Sequence, residues 1–279
     1  MNIHCDAVPK STDRVSGVTI VVLHVGMPIR LKTNLVIDFH TYLGRDAYND
    51  FYQGAGELLQ AMDEHGIDMA VVSPFQDYPG PDAESLSRVY EASRAYPDRF
   101  VPFARLDPRY GDIVLQKLGE AIEKFGVRGL LFNPLTTQTP IHHPALLPLM
   151  EAMASYNLPV LIPTGNSYFG LPEHVVVLAK TIPSLKIIIG HMGTAPHATR
   201  AIDIAGRFEN IYLETSLQQS TNRISLAVNS CGAEKIFFGS ASPYGHSFPE
   251  KEKIMGAGLK QLEQGLVLGF NAQKILGIA

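Results

Sequence analysis

The chain has 279 residues, of which 46% are hydrophobic and 18% charged, with a formal net charge of -4. That length supports one large globular domain with a substantial core and does not require two. The charges are scattered, with no basic stripe for a phosphate backbone and no polybasic run for an anionic bilayer, so neither nucleic acid nor a membrane is an expected partner.

Residues 1–33 stand outside the pattern that follows and are read as an N-terminal extension to a domain over 34–279. Its most apolar stretch, Val15 to Met27, is too short to span a bilayer, is interrupted by His24 and lacks a small-residue cleavage site. Cys5 and Cys231 lie far apart and match neither a disulfide framework nor a zinc ribbon, which fits a reducing, cytoplasmic setting.

From Leu35 onward, short β-branched runs alternate with helical patterns. The runs are Leu35 to Phe39, Met69 to Ser73, Phe100 to Leu106, Gly129 to Phe132, Pro159 to Ile162, Lys186 to Gly190, Asn210 to Glu214 and Lys235 to Gly239. Between them, Ile113 to Phe125, Leu146 to Tyr156 and His174 to Thr181 space their apolar residues near 3.6 and have the length of crossover helices. Prolines 108, 134, 140, 183 and 243 sit at predicted element ends, where a missing N–H costs little. Eight such strands in about 240 residues predict a (β/α)8 TIM barrel rather than a doubly wound sheet. No Gly-x-Gly-x-x-Gly follows the first run, which also counts against a dinucleotide fold. Pro249 to Ala279 reads as two closing helices.

Active sites of such barrels lie at the C-terminal ends of the strands, so polar residues there carry functional weight. The first run continues V-I-D-F-H-T-Y-L-G, and alternation predicts Asp38, His40 and Tyr42 on one face. Run six ends at His191, run seven at Glu214, and run eight leads into S-A-S-P-Y-G-H with Ser242 and His246. Histidine suits proton transfer because its ordinary pKa is near 6.5, and a buried Glu214 would be pushed up toward a general base. A core histidine or a structural carboxylate satisfies the same pattern.

Asn133, Asn166, Ser73, Thr164 and Ser242 offer hydrogen bonds to a substrate, although small polar groups at strand ends are common without function. Arg45, just after the first run, can clamp a carboxylate bidentately or remain a solvated loop residue. Ser242 lacks a Gly-x-Ser-x-Gly elbow and is not read as a nucleophile.

These segments, with L-P-V-L-I-P-T-G, G-I-D-M-A-V-V-S-P and the terminal N-A-Q-K-I-L-G, resemble the amidohydrolase-related branch of the metal-dependent amidohydrolase superfamily. The resemblance implies hydrolysis of an ester, lactone or amide, or decarboxylation, of a small carboxylated or cyclic molecule; dimers are frequent in that family. It also implies metal ligands at two first-strand histidines, a strand-five histidine and a strand-eight aspartate, with the strand-six histidine binding metal or substrate. His40 and His191 match that pattern, whereas Tyr42, Pro163 and Ala241 occupy the other positions. Because a catalytic zinc needs three protein ligands, the expectation is a metal-free pocket with no cofactor: His40 or His191 moves a proton, Tyr42 hydrogen-bonds developing charge, and Glu214 orients or acts as second acid or base. The alternatives are a zinc or manganese enzyme with relocated ligands, recruiting Glu214 or His246, and a non-catalytic barrel that binds a ligand or partner subunit.

Overall fold

The computed structural model describes residues 35–46, 48–80 and 84–278. The N-terminal extension read over 1–33 lies outside the described residues. Contacts group Asn34–Ile278 as one unit.

All eight expected strands form within that unit: β1 (Ile37–Asp46), β3 (Met69–Pro74), β4 (Phe100–Pro102), β5 (Leu130–Leu131), β6 (Val160–Pro163), β7 (Ile187–Gly190), β8 (Ile211–Glu214) and β9 (Ile236–Phe237). A ninth, β2 (Phe51–Gln53), was not expected; it pairs antiparallel with the far end of β1, Arg45 opposite Tyr52. The other pairings are parallel and run in two arrays, β1-β3-β4 and β5 through β9.

Two seams join these arrays into a ring. At one, the Leu131 amide donates to the Ala104 carbonyl (2.8 Å) and the Ala104 amide to the Gly129 carbonyl (2.9 Å). At the other, the Phe39 amide donates to Phe238, the Ala241 amide to His40 and the Tyr42 amide to Ser242, all within 2.9 Å. The predicted TIM barrel is thereby closed.

Alternation explains the core. Val72, Ile162, Ile189 and Leu213 face outward under the helices, while Val71, Val101, Leu161, Ile188 and Phe237 fill the barrel. Inside, Phe39 packs edge-on against Phe103 (5.6 Å between centroids) and tilted against Phe237 (4.8 Å). The helices over 112–125, 147–155 and 175–181 fall where the 3.6 spacing placed them. The C-terminal segment is helical over Ser247–Met255 and again from Gln261 to Leu276.

One feature of β1 departs from simple alternation. The register against β3 shifts between Asp38 and Thr41, so this strand carries a bulge. Phe39 can therefore join the interior cluster while His40, its neighbour, also reaches inward at the strand end. Asp38 does not share that outlet: its carboxylate accepts the amides of Ser240 (2.8 Å) and His40 (3.2 Å) and braces the β1–β9 seam.

Candidate active site

Three strand ends converge. β1 supplies His40, the residue after β7 is His191, and β8 ends at Glu214; all three are buried. His40 Nδ1 lies 2.9 Å from Glu214 Oε2, and Nε2 lies 2.7 Å from the Tyr42 hydroxyl. His40 thus bridges Glu214 and the Tyr42 hydroxyl, one ring nitrogen on each. The His40 and His191 rings stack at 5.0 Å.

Ser216, which no sequence signal singled out, ties this cluster together. Its amide and hydroxyl both donate to the Glu214 carboxylate, the hydroxyl at 2.8 Å, and the hydroxyl oxygen lies 2.8 Å from His191 Nδ1. The His191 amide adds a further bond to Glu214 at 3.2 Å. Burial pushes the Glu214 carboxyl up, as the sequence reading expected, but the opposing pull of His40, of its hydrogen bond and of Ser216 wins and holds it at about 2. Glu214 is therefore an ionised acceptor at neutral pH, not a general base raised by burial.

Burial and the neighbouring His40 push His191 down to about 4, so its ring is neutral. For Tyr42, burial raises the phenol well above its ordinary range against the pull of Arg105, which favours the protonated O–H. Asp38 is raised to about 7 by burial, with the Ser240 and His40 bonds opposing.

Gly239 makes room for this arrangement. A Cβ there would overlap the Glu214 carboxylate and sit 3.0 Å from His40 Cβ.

The remaining predicted site residues do not join the cluster. Arg45 is exposed and paired with exposed Asp50 at 2.8 Å. Asn133 caps the turn that follows it, accepting from the Leu135 amide at 3.0 Å. Asn166 is exposed. Ser242 is buried and donates to Gln53 at 2.7 Å, holding β2 against the seam. Ser73 pairs in register with Tyr42, and Thr164 donates to the Gly190 carbonyl at 3.3 Å. His246 caps the helix over 247–255 and faces His65 at 4.8 Å between ring centroids, which removes it as a replacement ligand.

Beside the polar cluster lies an aromatic wall. Tyr42 stacks on Phe75 (5.1 Å, 13°), and Tyr244 meets both edge-on at 5.4 and 5.6 Å. Phe51 of β2 closes on Tyr244 at 5.2 Å. Arg105, a second residue that sequence reasoning missed, is buried behind this wall and bound to Asp77 (3.0 Å) and Thr136 (2.8 Å).

The family model for amidohydrolases, described as "Amidohydrolase", matches residues 37–278. The chain belongs to the amidohydrolase family. Membership makes it an enzyme of that hydrolase and lyase group, as the strand-end motifs suggested.

Among solved structures, it is similar to 5-carboxyvanillate decarboxylase from Sphingomonas paucimobilis at 20% identity, covering 88% of this chain and 99% of that one, with a TM-score of 0.70. It is also similar to the same enzyme from Novosphingobium aromaticivorans, complexed with manganese and a nitrobenzoic acid, at 15% identity over 87% and 96% of the chains, TM-score 0.71. A probable 2-pyrone-4,6-dicarboxylic acid hydrolase from Acinetobacter baumannii matches at 17% identity over 87% and 99%, TM-score 0.66. At these identities the likeness establishes the fold. No curated protein matches the sequence.

The expectation of a metal-free pocket without a cofactor is overturned. His40, His191 and Glu214 each offer a ligand atom, and these atoms lie within 4.8 Å of one another; a structural neighbour of the same fold carries manganese. The cluster agrees with the alternative of relocated ligands that recruit Glu214. Pro163 and Ala241 are indeed without donor atoms, but the end of β8 supplies the third ligand instead.

The donor chemistry fits a divalent metal. Two imidazoles and one carboxylate form a His2Glu set of the kind that binds catalytic zinc, with room in the ligand count for substrate or water. The neutral His191 and ionised Glu214 are already in their ligating forms at neutral pH.

Proposed function

We propose that the chain is a metal-dependent decarboxylase of small, planar, carboxylated molecules, most simply hydroxylated aromatic acids. The observation that carries this reading is the buried His40–His191–Glu214 set, joined through Tyr42 to the aromatic cluster of Phe75 and Tyr244. A divalent cation held by those three residues supplies Lewis-acid polarisation of a substrate oxygen.

The chain's own groups do the rest. Tyr244, the exposed member of that cluster, offers ring surface against which a flat substrate can lie, with Tyr42 and Phe75 packed against it. Ser216 fixes the orientation of Glu214 and His191. The Tyr42 hydroxyl is kept protonated by burial, and with His40 Nδ1 given to the cation its Nε2–H would donate to the Tyr42 oxygen, which frees the phenolic proton for charge that develops on the substrate. As CO2 leaves, the carbon that bore it must take up a proton, and this reading assigns its delivery to Tyr42, hydrogen-bonded to His40.

Hydrolysis is the weaker reading on one specific ground. A bound cation would itself acidify a hydrolytic water, yet among the described residues no carboxylate stands ready to carry its proton to a leaving group: Glu214 belongs to the ligand set, Asp38 is bound to two backbone amides, and position 241 is Ala.

The test pairs elemental analysis with a product assay. Protein offered manganese or zinc is expected to retain about one equivalent per chain and to release CO2 from a panel of hydroxybenzoates. Retention of no metal would sink the ligand assignment. Retained metal with lactone or ester hydrolysis but no CO2 would replace decarboxylation by hydrolysis.

A further inference from the structure

The loop after β8 carries the residue that organises the ligand set, and it is held in place from outside the barrel. Ser216 clamps Glu214 and meets His191, while within the residues that follow it the Gln218 amide closes a turn on the Thr215 carbonyl at 3.2 Å. Leu217 has φ +56°, a left-handed conformation that is unfavourable for a branched residue, and its side chain is 38% exposed. Gln218 is fully buried with neither amide atom of its side chain hydrogen-bonded, a further cost of this loop conformation.

Two bonds from one helix oppose those costs. Within Ser247–Met255, Glu250 accepts from the Leu217 amide at 3.2 Å, and the Lys253 ammonium donates to the Gln218 carbonyl at 2.6 Å. Glu250 and Lys253 also form an ion pair one turn apart, with Glu250 only 6% exposed. A carboxylate this buried is uncommon without a specific partner, and Glu250 is not part of the ligand set. The helix is itself tethered: His65 Nδ1 lies 2.9 Å from the Ser247 hydroxyl, and Lys251 donates to the His65 carbonyl at 2.7 Å. The loop is thus referenced to a framework independent of the three ligands.

We propose that Glu250 and Lys253 are positioning residues that clamp residues 217–218, fix Ser216 over Glu214, and so set the metal affinity of the His40–His191–Glu214 cluster. The metal half of this statement rests on the preceding functional reading. The clamp itself does not.

The experiment uses the full chain and two readouts: backbone amide exchange over residues 215–220, and Mn2+ titration by competition with an indicator. Glu250→Ala is expected to speed exchange in that loop at least about tenfold while leaving β3 and β6 unchanged, and to weaken Mn2+ binding by about 10- to 100-fold, the range for loss of an outer-sphere support. Glu250→Gln, which retains a carbonyl acceptor for the Leu217 amide, restores most of both. Lys253→Met removes the Gln218 contact and the ion pair to Glu250 but leaves the Glu250 acceptor for the Leu217 amide, gives the same pattern more weakly, and decides the matter if Glu250→Ala does not fold. Unchanged loop exchange overturns the proposal, as does faster exchange with Mn2+ affinity within about twofold of wild type on that same scale. Should wild-type protein bind no Mn2+, the functional reading and the affinity half of the proposal both fall, while the exchange data separately uphold or overturn the clamp.

Discussion

The two sides of the barrel mouth are built from different chemistry. Toward β7 and β8 the groups are polar, buried and cross-bonded: His191, Glu214 and Ser216, reached by His40 from β1. Toward β2 and β3 the wall is aromatic, with Phe51, Phe75 and Tyr244 in mutual contact. Tyr42 stands at the junction, its ring in the aromatic wall and its hydroxyl on His40. Under the proposed function the contrast separates two jobs: the polar side would hold the cation, and the aromatic side would receive a flat molecule.

The sharpest way to break this division is Glu214→Gln, which keeps the shape and removes the charge. Metal affinity should fall by at least about 100-fold, at or beyond the upper end for losing a mere outer-sphere partner; a variant that still holds an equivalent by elemental analysis would show that the polar side is not the metal side. Tyr42→Phe comes next. It keeps the ring in the wall and deletes the donor, so turnover should drop by about 100- to 1000-fold with metal content unchanged, and a simultaneous loss of metal would assign Tyr42 to the polar side alone.

Much of this layout was legible in the sequence. Eight β-branched runs at barrel spacing placed every barrel strand, and polar residues just past them picked out His40, His191, Tyr42 and Glu214. Legibility stopped where one residue type serves two purposes. Asn133 and His246 looked like strand-end ligands, yet each accepts from the backbone amide two residues on, as a helix cap does, and the Pro134 that follows Asn133 was the available signal. Ser216 was missed because a serine two residues past a carboxylate looks like any loop serine; its amide and hydroxyl fold back on Glu214, a local side-chain-to-backbone pattern that the E-x-S spacing permits. Arg105 was passed over because it was counted as part of a strand, and its burial depends on Asp77 and Thr136, distant in sequence. β2 is too short to show a periodicity.

Smaller effects sharpen the comparison. Tyr244→Ala should raise KM by up to about tenfold, in keeping with aromatic contacts worth ~0.5–1.5 kcal/mol, and leave kcat within about twofold on that scale; an equal loss in kcat would mean that the wall also takes part in the chemistry. A difference in stability with pH probes the polar side. His191 titrates near 6.5 when unfolded and about 4 when folded, so between those values only the unfolded chain takes up the proton. Stability from this group is complete above about pH 6.5 and declines as pH falls toward 4. In chelator-treated protein, the stability advantage of wild type over His191→Asn in urea melts should therefore be larger at pH 7 than at pH 4.5; an advantage that does not change with pH would mean that His191 is not held neutral.

Gly239 gives the layout a further meaning. It bears no donor, no charge and no ring, yet the Glu214 carboxylate occupies the volume that any larger residue there would claim. Glu214 and Gly239 thus trade space between adjacent strand ends: β8 can carry a carboxylate inward because the residue two past β9 has no side chain. Anyone wishing to restore an aspartate at position 241, or to transplant this ligand set into another barrel, has to move two strands' worth of sequence together, since a glutamate introduced without its glycine has nowhere to go.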